Sequence, residues 1–207
     1  MDVLEAIRKR ASANKFDPAR PLSEAQVREL VELATRAPSS FNIQHWRFLA
    51  VTRKEDREKL KGLAYNQQKV ADAPVVFVVL GDPRAHENLA HALEGSVKAG
   101  LMDAKAVQGL SGMAAGMYAD PRAQRDEAIR SGAFAAMTLM LAAEAKGLVA
   151  GPMIGFDPDA VKKEFKIPER LIPVLMLPVG YAAPGNWPQK PRLPVDEVLA
   201  FHDGAKL

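Results

Sequence analysis

The 207-residue sequence contains no cysteine, which excludes disulfides, thiolate metal sites and cysteine nucleophiles together. It also lacks an apolar run approaching the roughly 20 residues that cross a bilayer. The opening Met1-Asp2-Val3-Leu4-Glu5 is too acidic for a secretory leader, so the chain is expected in the cytoplasm, with no membrane partner. Charge of one sign is never concentrated. The net charge of +3 is spread through mixed stretches such as RKEDREKLK (53–61), without interleaved aromatics. That pattern speaks against nucleic acid and suits an anionic small ligand. GxGxxG, GxxxxGK[ST] and GxSxG are all missing, which leaves a dinucleotide Rossmann loop, a P-loop and an α/β-hydrolase elbow without support. HENLAH (86–91) spaces its histidines five apart, about 140° around a helix, so one ion cannot take both, and they read as solvated helix residues. With no metal centre expected, any redox chemistry has to be borrowed from a cofactor.

What is present is a globular composition, 48% hydrophobic and 26% charged, long enough for one core, so residues 1–207 are expected to form a single domain. Val3, Leu4 and Ile7 predict a first helix over 2–10, followed by a loop over 12–21. Ser23 with Gln26 forms a capping-box pattern, and Val27, Leu30, Val31 and Ala34 mark the buried stripe of a helix that Pro38 stops. RFLAV (47–51), APVVFVVLG (73–81), GLVAGPMIG (147–155) and LIPVLMLPVG (171–180) read as strands, the second buried on both faces. Charge pairs predict helix within 54–72, and DPDAVKKEF (157–165) predicts another. Residues 84–118 read as two or three helices joined through Gly95, Gly100, Gly109, Gly112 and Gly116. A helix of about 25 residues over 122–146 is apolar nearly all round, which requires a core or a partner subunit to cover it. The fold class is α+β, one central mixed or antiparallel sheet with helices on both sides.

Residues 37–46, APSSFNIQHW, crowd hydrogen-bonding groups and aromatics just past a helix end. Taken with IRKRASANKFD (7–17), YNQQKVADAP (65–74) and KPRLP (190–194), this stretch resembles the nitroreductase family, the FMN-dependent NAD(P)H oxidoreductases of bacteria, in its small single-domain form. The four segments occur in the family's order across nearly the whole chain.

The resemblance implies a homodimer in which FMN takes electrons from NADH or NADPH by ping-pong hydride transfer and passes them to a nitroaromatic, quinone or related small acceptor. Arg10, Ala11, Ser12, Lys190 and Arg192 match the positions around the FMN phosphate, where guanidinium and hydroxyl donors make charge-assisted bonds. Arg10 alone would equally be a solvated helix-end cation. Pro38, Ser39, Ser40 and Asn42 match a loop that the partner subunit lends to the flavin, although Pro38-Ser39-Ser40 is also an ordinary helix stop. Trp46 reads as a core aromatic, while Gln44 and His45 stay unassigned. Asn66 and Lys69 match positions at the pyrimidine end, where an ammonium stabilises the negative charge that reduction leaves. Pro152-Met153-Ile154-Gly155 matches a turn whose backbone N–H groups face the flavin N5. Two positions depart from the family: Asn14, also at the pyrimidine end, stands where many members carry a cation, and Ile154 where many carry a glutamate. No side chain is assigned as catalytic. A non-catalytic protein that stores or transfers FMN is the alternative, and a plain interaction protein a second.

Overall fold

The structure is a computed structural model and describes residues 1–204. Strands β1 (Trp46–Val51), β2 (Val75–Gly81), β3 (Val149–Ala150) and β4 (Ile172–Gly180) form one antiparallel sheet in the order β1-β2-β4-β3. All seven residues of β2 are buried. This follows from its unbroken β-branched and aromatic run, which can face a core on both sides of the sheet.

Helices cover both faces. On one side α2 (Glu24–Ala34) and α8 (Pro121–Ala145) bring Leu30, Leu139, Met140 and Ala143 against Val75, Phe77, Val79 and Leu177. Each fully buried leucine of this kind is worth about 1.5–3 kcal/mol of transfer free energy. On the other side α3 (Lys54–Leu63), α4 (Lys69–Asp72) and α9 (Pro158–Glu164) contribute Leu60, Val70 and Val161 to a cluster with Val76, Val78, Leu80 and Met176. The helix starts are specified locally. Ser23 accepts the Gln26 N–H at 3.2 Å while Gln26 accepts the Ser23 N–H at 2.9 Å, the reciprocal box expected from the sequence. Asp120 caps α8, with Pro121 at its first position, and Asp157 caps α9.

Three local expectations need correction. Of residues 147–155 only Val149 and Ala150 form strand, with an isolated bridge from Met153 to Met176. Gly151 presses against the Ala13 carbonyl, where any Cβ would collide, so the chain turns from β3 toward a neighbouring loop instead of extending. Between 84 and 118 the helices are α5 (Leu89–Ala92), α6 (Glu94–Lys98) and α7 (Ala104–Met117), and Gly109, Gly112 and Gly116 lie inside α7. Gly100, with φ of 69°, is a true joint. Finally, α1 (Val3–Lys9) forms where its spacing predicts, but it buries Ala6 and turns Val3, Leu4 and Ile7 outward.

The register separates two regions of interest. Trp46 pairs with Gly81, which pairs with Ile172, so residues 38–45 enter the sheet at the β1 edge and at the end where β4 begins. Residues 12–16 lie at the other edge, bridging Ala150 through Ser12 and Ala182 through Phe16, beside the end of β4. Three strand spacings of about 4.8 Å and six residue steps of about 3.4 Å put these diagonal corners on the order of 25 Å apart.

Candidate functional site

At the β3 corner the end of α1 meets the proline-rich tail. Gln189 Nε2 donates to the carbonyls of Arg10 at 2.9 Å and Ile7 at 3.3 Å, satisfying acceptors that a helix end leaves open and fastening the tail there. The junction encloses a cavity of about 430 Å³ lined by Arg10, Ala11, Ser12, Asn14, Lys190 and Arg192. Lys69, reaching over from α4, donates to Asn14 Oδ1 at 3.4 Å. Burial alone holds its ammonium below the ordinary lysine pKa. Among the described residues none of Arg10, Lys69, Lys190 and Arg192 has a carboxylate within 4.0 Å, whereas most other basic side chains do. Arg192 rests on its own backbone, donating to the Lys190 carbonyl at 2.6 Å. Three cations without counterions around a polar cavity, Arg10, Lys190 and Arg192, suit a phosphorylated ligand, and Lys69 adds a fourth charge beside Asn14.

The next wall is made by two loops. Gln67 Nε2 donates to the Gly155 carbonyl at 2.8 Å and the Asp157 N–H donates to the Leu63 carbonyl at 2.9 Å, tying residues 63–67 to 155–157. Tyr65 and Asn66 are both left-handed, with φ of 53° and 57°. Two such non-glycine residues cost on the order of 1 kcal/mol or more each and persist only where surrounding bonds hold them. The result is an exposed rim. Tyr65 is 71% and Ile154 81% exposed, beside Asn66, while Pro152 and Gly155 are half-buried.

Pro38, Ser39, Ser40 and Asn42 stand at the opposite corner, and among the described residues no hydrogen bond joins them to the cradle. Ser39 Oγ accepts the Gln44 N–H at 2.9 Å, and Phe41, Asn42 and Gln44 are left-handed, so this loop too is held in an unusual shape. His45 beneath it is completely buried, its ring edge-on to Tyr118 at 5.7 Å, with Ser131 Oγ 3.5 Å from Nδ1. Ser131 in turn donates to the buried Glu127, which pairs with Arg130. His86 also stacks on Tyr118, at 5.3 Å, and is half-buried, unlike the solvated His91 that pairs with Glu94. Trp46 is a core residue as expected.

Sequence reasoning missed Asn186, Gln189 and Gln67, whose side-chain bonds hold the cradle together. The turn chemistry of Gly185-Asn186 was a legible signal, but nothing in the sequence points to the loop 171 residues away that Asn186 meets.

A family model described as Nitroreductase family matches residues 7–181. YodC of Bacillus subtilis (strain 168), named after an NAD(P)H nitroreductase activity, is 35% identical over 201 residues, covering 97% of this chain and 98% of its own. A Thermus thermophilus protein named NADH dehydrogenase is 31% identical over 206 residues, covering 97% and 96%. The fold is similar to that of an Exiguobacterium sibiricum 255-15 protein solved in complex with FMN, with a TM-score of 0.91, 30% identity and 97% of each chain covered.

Burial lowers the pKa of His45 from 6.5 to about 4, against an upward pull from Glu127 that is smaller. The fold therefore holds the neutral imidazole. His45 contributes stability that is complete above pH 6.5 and lost as pH falls toward 4, by about 3 kcal/mol in all. Urea unfolding at pH 7 and pH 4.5 is expected to show that loss, and His45→Asn to diminish the difference by about 2–3 kcal/mol.

Proposed function

The chain belongs to the nitroreductase family, and on that premise we propose that it is an FMN-dependent NAD(P)H oxidoreductase acting as one domain in a homodimer. The observation that carries this reading is the set of unpaired cations around the α1–tail cavity. Arg10, Ser12, Lys190 and Arg192 would hold the FMN phosphate, and Asn14, Asn66 and Lys69 the pyrimidine end. Backbone N–H groups of the Pro152–Gly155 turn would lie at the central ring. FMN, when bound, supplies the two-electron chemistry between NADH or NADPH and the acceptor. The chain's own groups bind, orient and exclude water, and none need donate or abstract a proton. The exposed faces of Ile154 and Tyr65 offer an apolar seat for a small aromatic or quinone-like acceptor. A reductase fed by nicotinamides belongs in the cytoplasm, where we place it.

The homodimer draws support from the sheet. If residues 38–42 serve the same flavin as the cradle, a corner-to-corner distance on the order of 25 Å requires them to come from a second copy. Two-fold symmetry then makes two equal sites. Unburied apolar groups supply the surface: Phe134 and Met137 on α8, Val3, Leu4 and Ile7 on α1, and Leu193, Val195 and Phe201 on the tail.

Purified protein is expected to be yellow, to bleach anaerobically with NADH or NADPH and to regain colour with a nitroarene or quinone. A coloured protein that neither nicotinamide bleaches would instead be an FMN store or carrier, and a colourless one that takes up no FMN would be neither. Arg10→Ala and Arg192→Ala should each weaken FMN binding by about 1.5–3 kcal/mol in fluorescence titrations. Sedimentation equilibrium should return twice the chain mass, and a monomer with full FMN affinity would refute the shared site.

A further inference from the structure

The side chain of Asn186 is saturated. Its Oδ1 accepts the N–H groups of Asn14 at 2.8 Å and Lys15 at 2.9 Å, and its Nδ2 donates to the carbonyls of Lys15 at 2.7 Å and Ala183 at 3.1 Å. Those four bonds use both lone pairs and both protons, and they fix the amide orientation, since a flipped amide would set its oxygen against two carbonyls. The need arises from the backbone. Ala13 is paired with Ala150, and Asp17 donates to the Tyr181 carbonyl at 2.9 Å, but the intervening N–H groups of Asn14 and Lys15 meet no strand. Asn186 stands in for the missing strand residue. It is aimed there by Gly185, whose φ of 87° reverses the tail in a conformation that glycine adopts without strain, against the Lys15 side chain.

What this clip holds is the support of Lys69. The only hydrogen-bond partner of the Lys69 ammonium among the described residues is Asn14 Oδ1, at 3.4 Å. A lysine side chain carries about 2 kcal/mol of rotamer freedom, so one weak contact sets its position only if the acceptor itself is fixed. We propose that Asn186 is a positioning residue: by pinning the backbone of Asn14 it aims Asn14 Oδ1 at Lys69 and so places the ammonium that stabilises the reduced cofactor. This rests on the FMN reading given above. It also makes segment 186–192 serve both ends of the ligand, since Lys190 and Arg192 line the α1–tail cavity four and six residues further on.

The test uses Asn186→Ala, Asn14→Ala and the double variant. In protein freed of cofactor, amide hydrogen exchange of Asn14 and Lys15 should accelerate at least tenfold in Asn186→Ala while Ala13, bonded to Ala150, keeps its protection. In the loaded protein the variant should bind reduced FMN about tenfold less well relative to oxidised FMN than wild type does, a fall of about 30 mV in midpoint potential. The double variant should match Asn14→Ala, because Asn186 acts through Asn14. Equal weakening of both redox forms, or additive effects in the cycle, would make Asn186 a stability residue only and overturn the proposal. So would unchanged exchange of Asn14 and Lys15 in a folded variant. Wild-type protein that takes up no FMN would fail the functional reading instead, and the exchange rates would still decide whether the clip exists.

Discussion

Every residue of β2 is withdrawn from water, and a buried backbone N–H or carbonyl left unpaired costs about 1–3 kcal/mol. The strand must therefore be flanked on both sides, by β1 and β4, and must be covered on both faces, by α2 and α8 and by α3, α4 and α9. That requirement propagates outward. Once β2 and β4 are locked antiparallel, the place of β3 is fixed by the last residues of β4, and the loop after α1 can only add at that edge. The cradle and the 38–45 loop are thus kept apart by the sheet built around the buried strand β2.

The two edges are finished differently. At β3 the free side is taken by residues 12–17, partly through backbone bridges and partly through the Asn186 amide. At β1 the outer side carries Phe48 and a groove shared with Val27 and Val31 of α2 and with Thr35 just past its end, and among the described residues no strand pairs there. An exposed edge of this sort is a place where another chain can add. The loop before it is held in left-handed conformations over a buried polar group of His45, Ser131 and Glu127. A loop that merely linked two elements would not need such support.

Legibility of these features in the sequence tracked how local their causes were. The helix cap at Ser23, the run of β2 and the length of α8 follow from neighbours within a few residues, and each could be read directly. Gly109, Gly112 and Gly116 misled because glycine weakens a helix by only about 1 kcal/mol, which packing of α7 through Ala114 and Leu110 offsets. Residues 147–155 misled because the chain departs from the sheet for a contact with Ala13, remote in sequence. The same applies to the site. Arg10, Ser12, Lys190 and Arg192 were matched through the family resemblance and do line one cavity, but the amides that assemble it bond across the whole chain. His45 stayed unassigned because its role depends on Tyr118, Ser131 and Glu127, none of them near it in sequence.

The cation cluster around the α1–tail cavity has a consequence for the life of the polypeptide before it is loaded. Like charges held together without counter-ions raise the free energy of the empty form, and a ligand at a hundred times its dissociation constant adds about 2.7 kcal/mol to the stability of the filled one. Newly made chains would therefore be the most vulnerable to proteases when vitamin supply runs short, and the amount of enzyme a cell retains would follow its riboflavin status even with transcription unchanged.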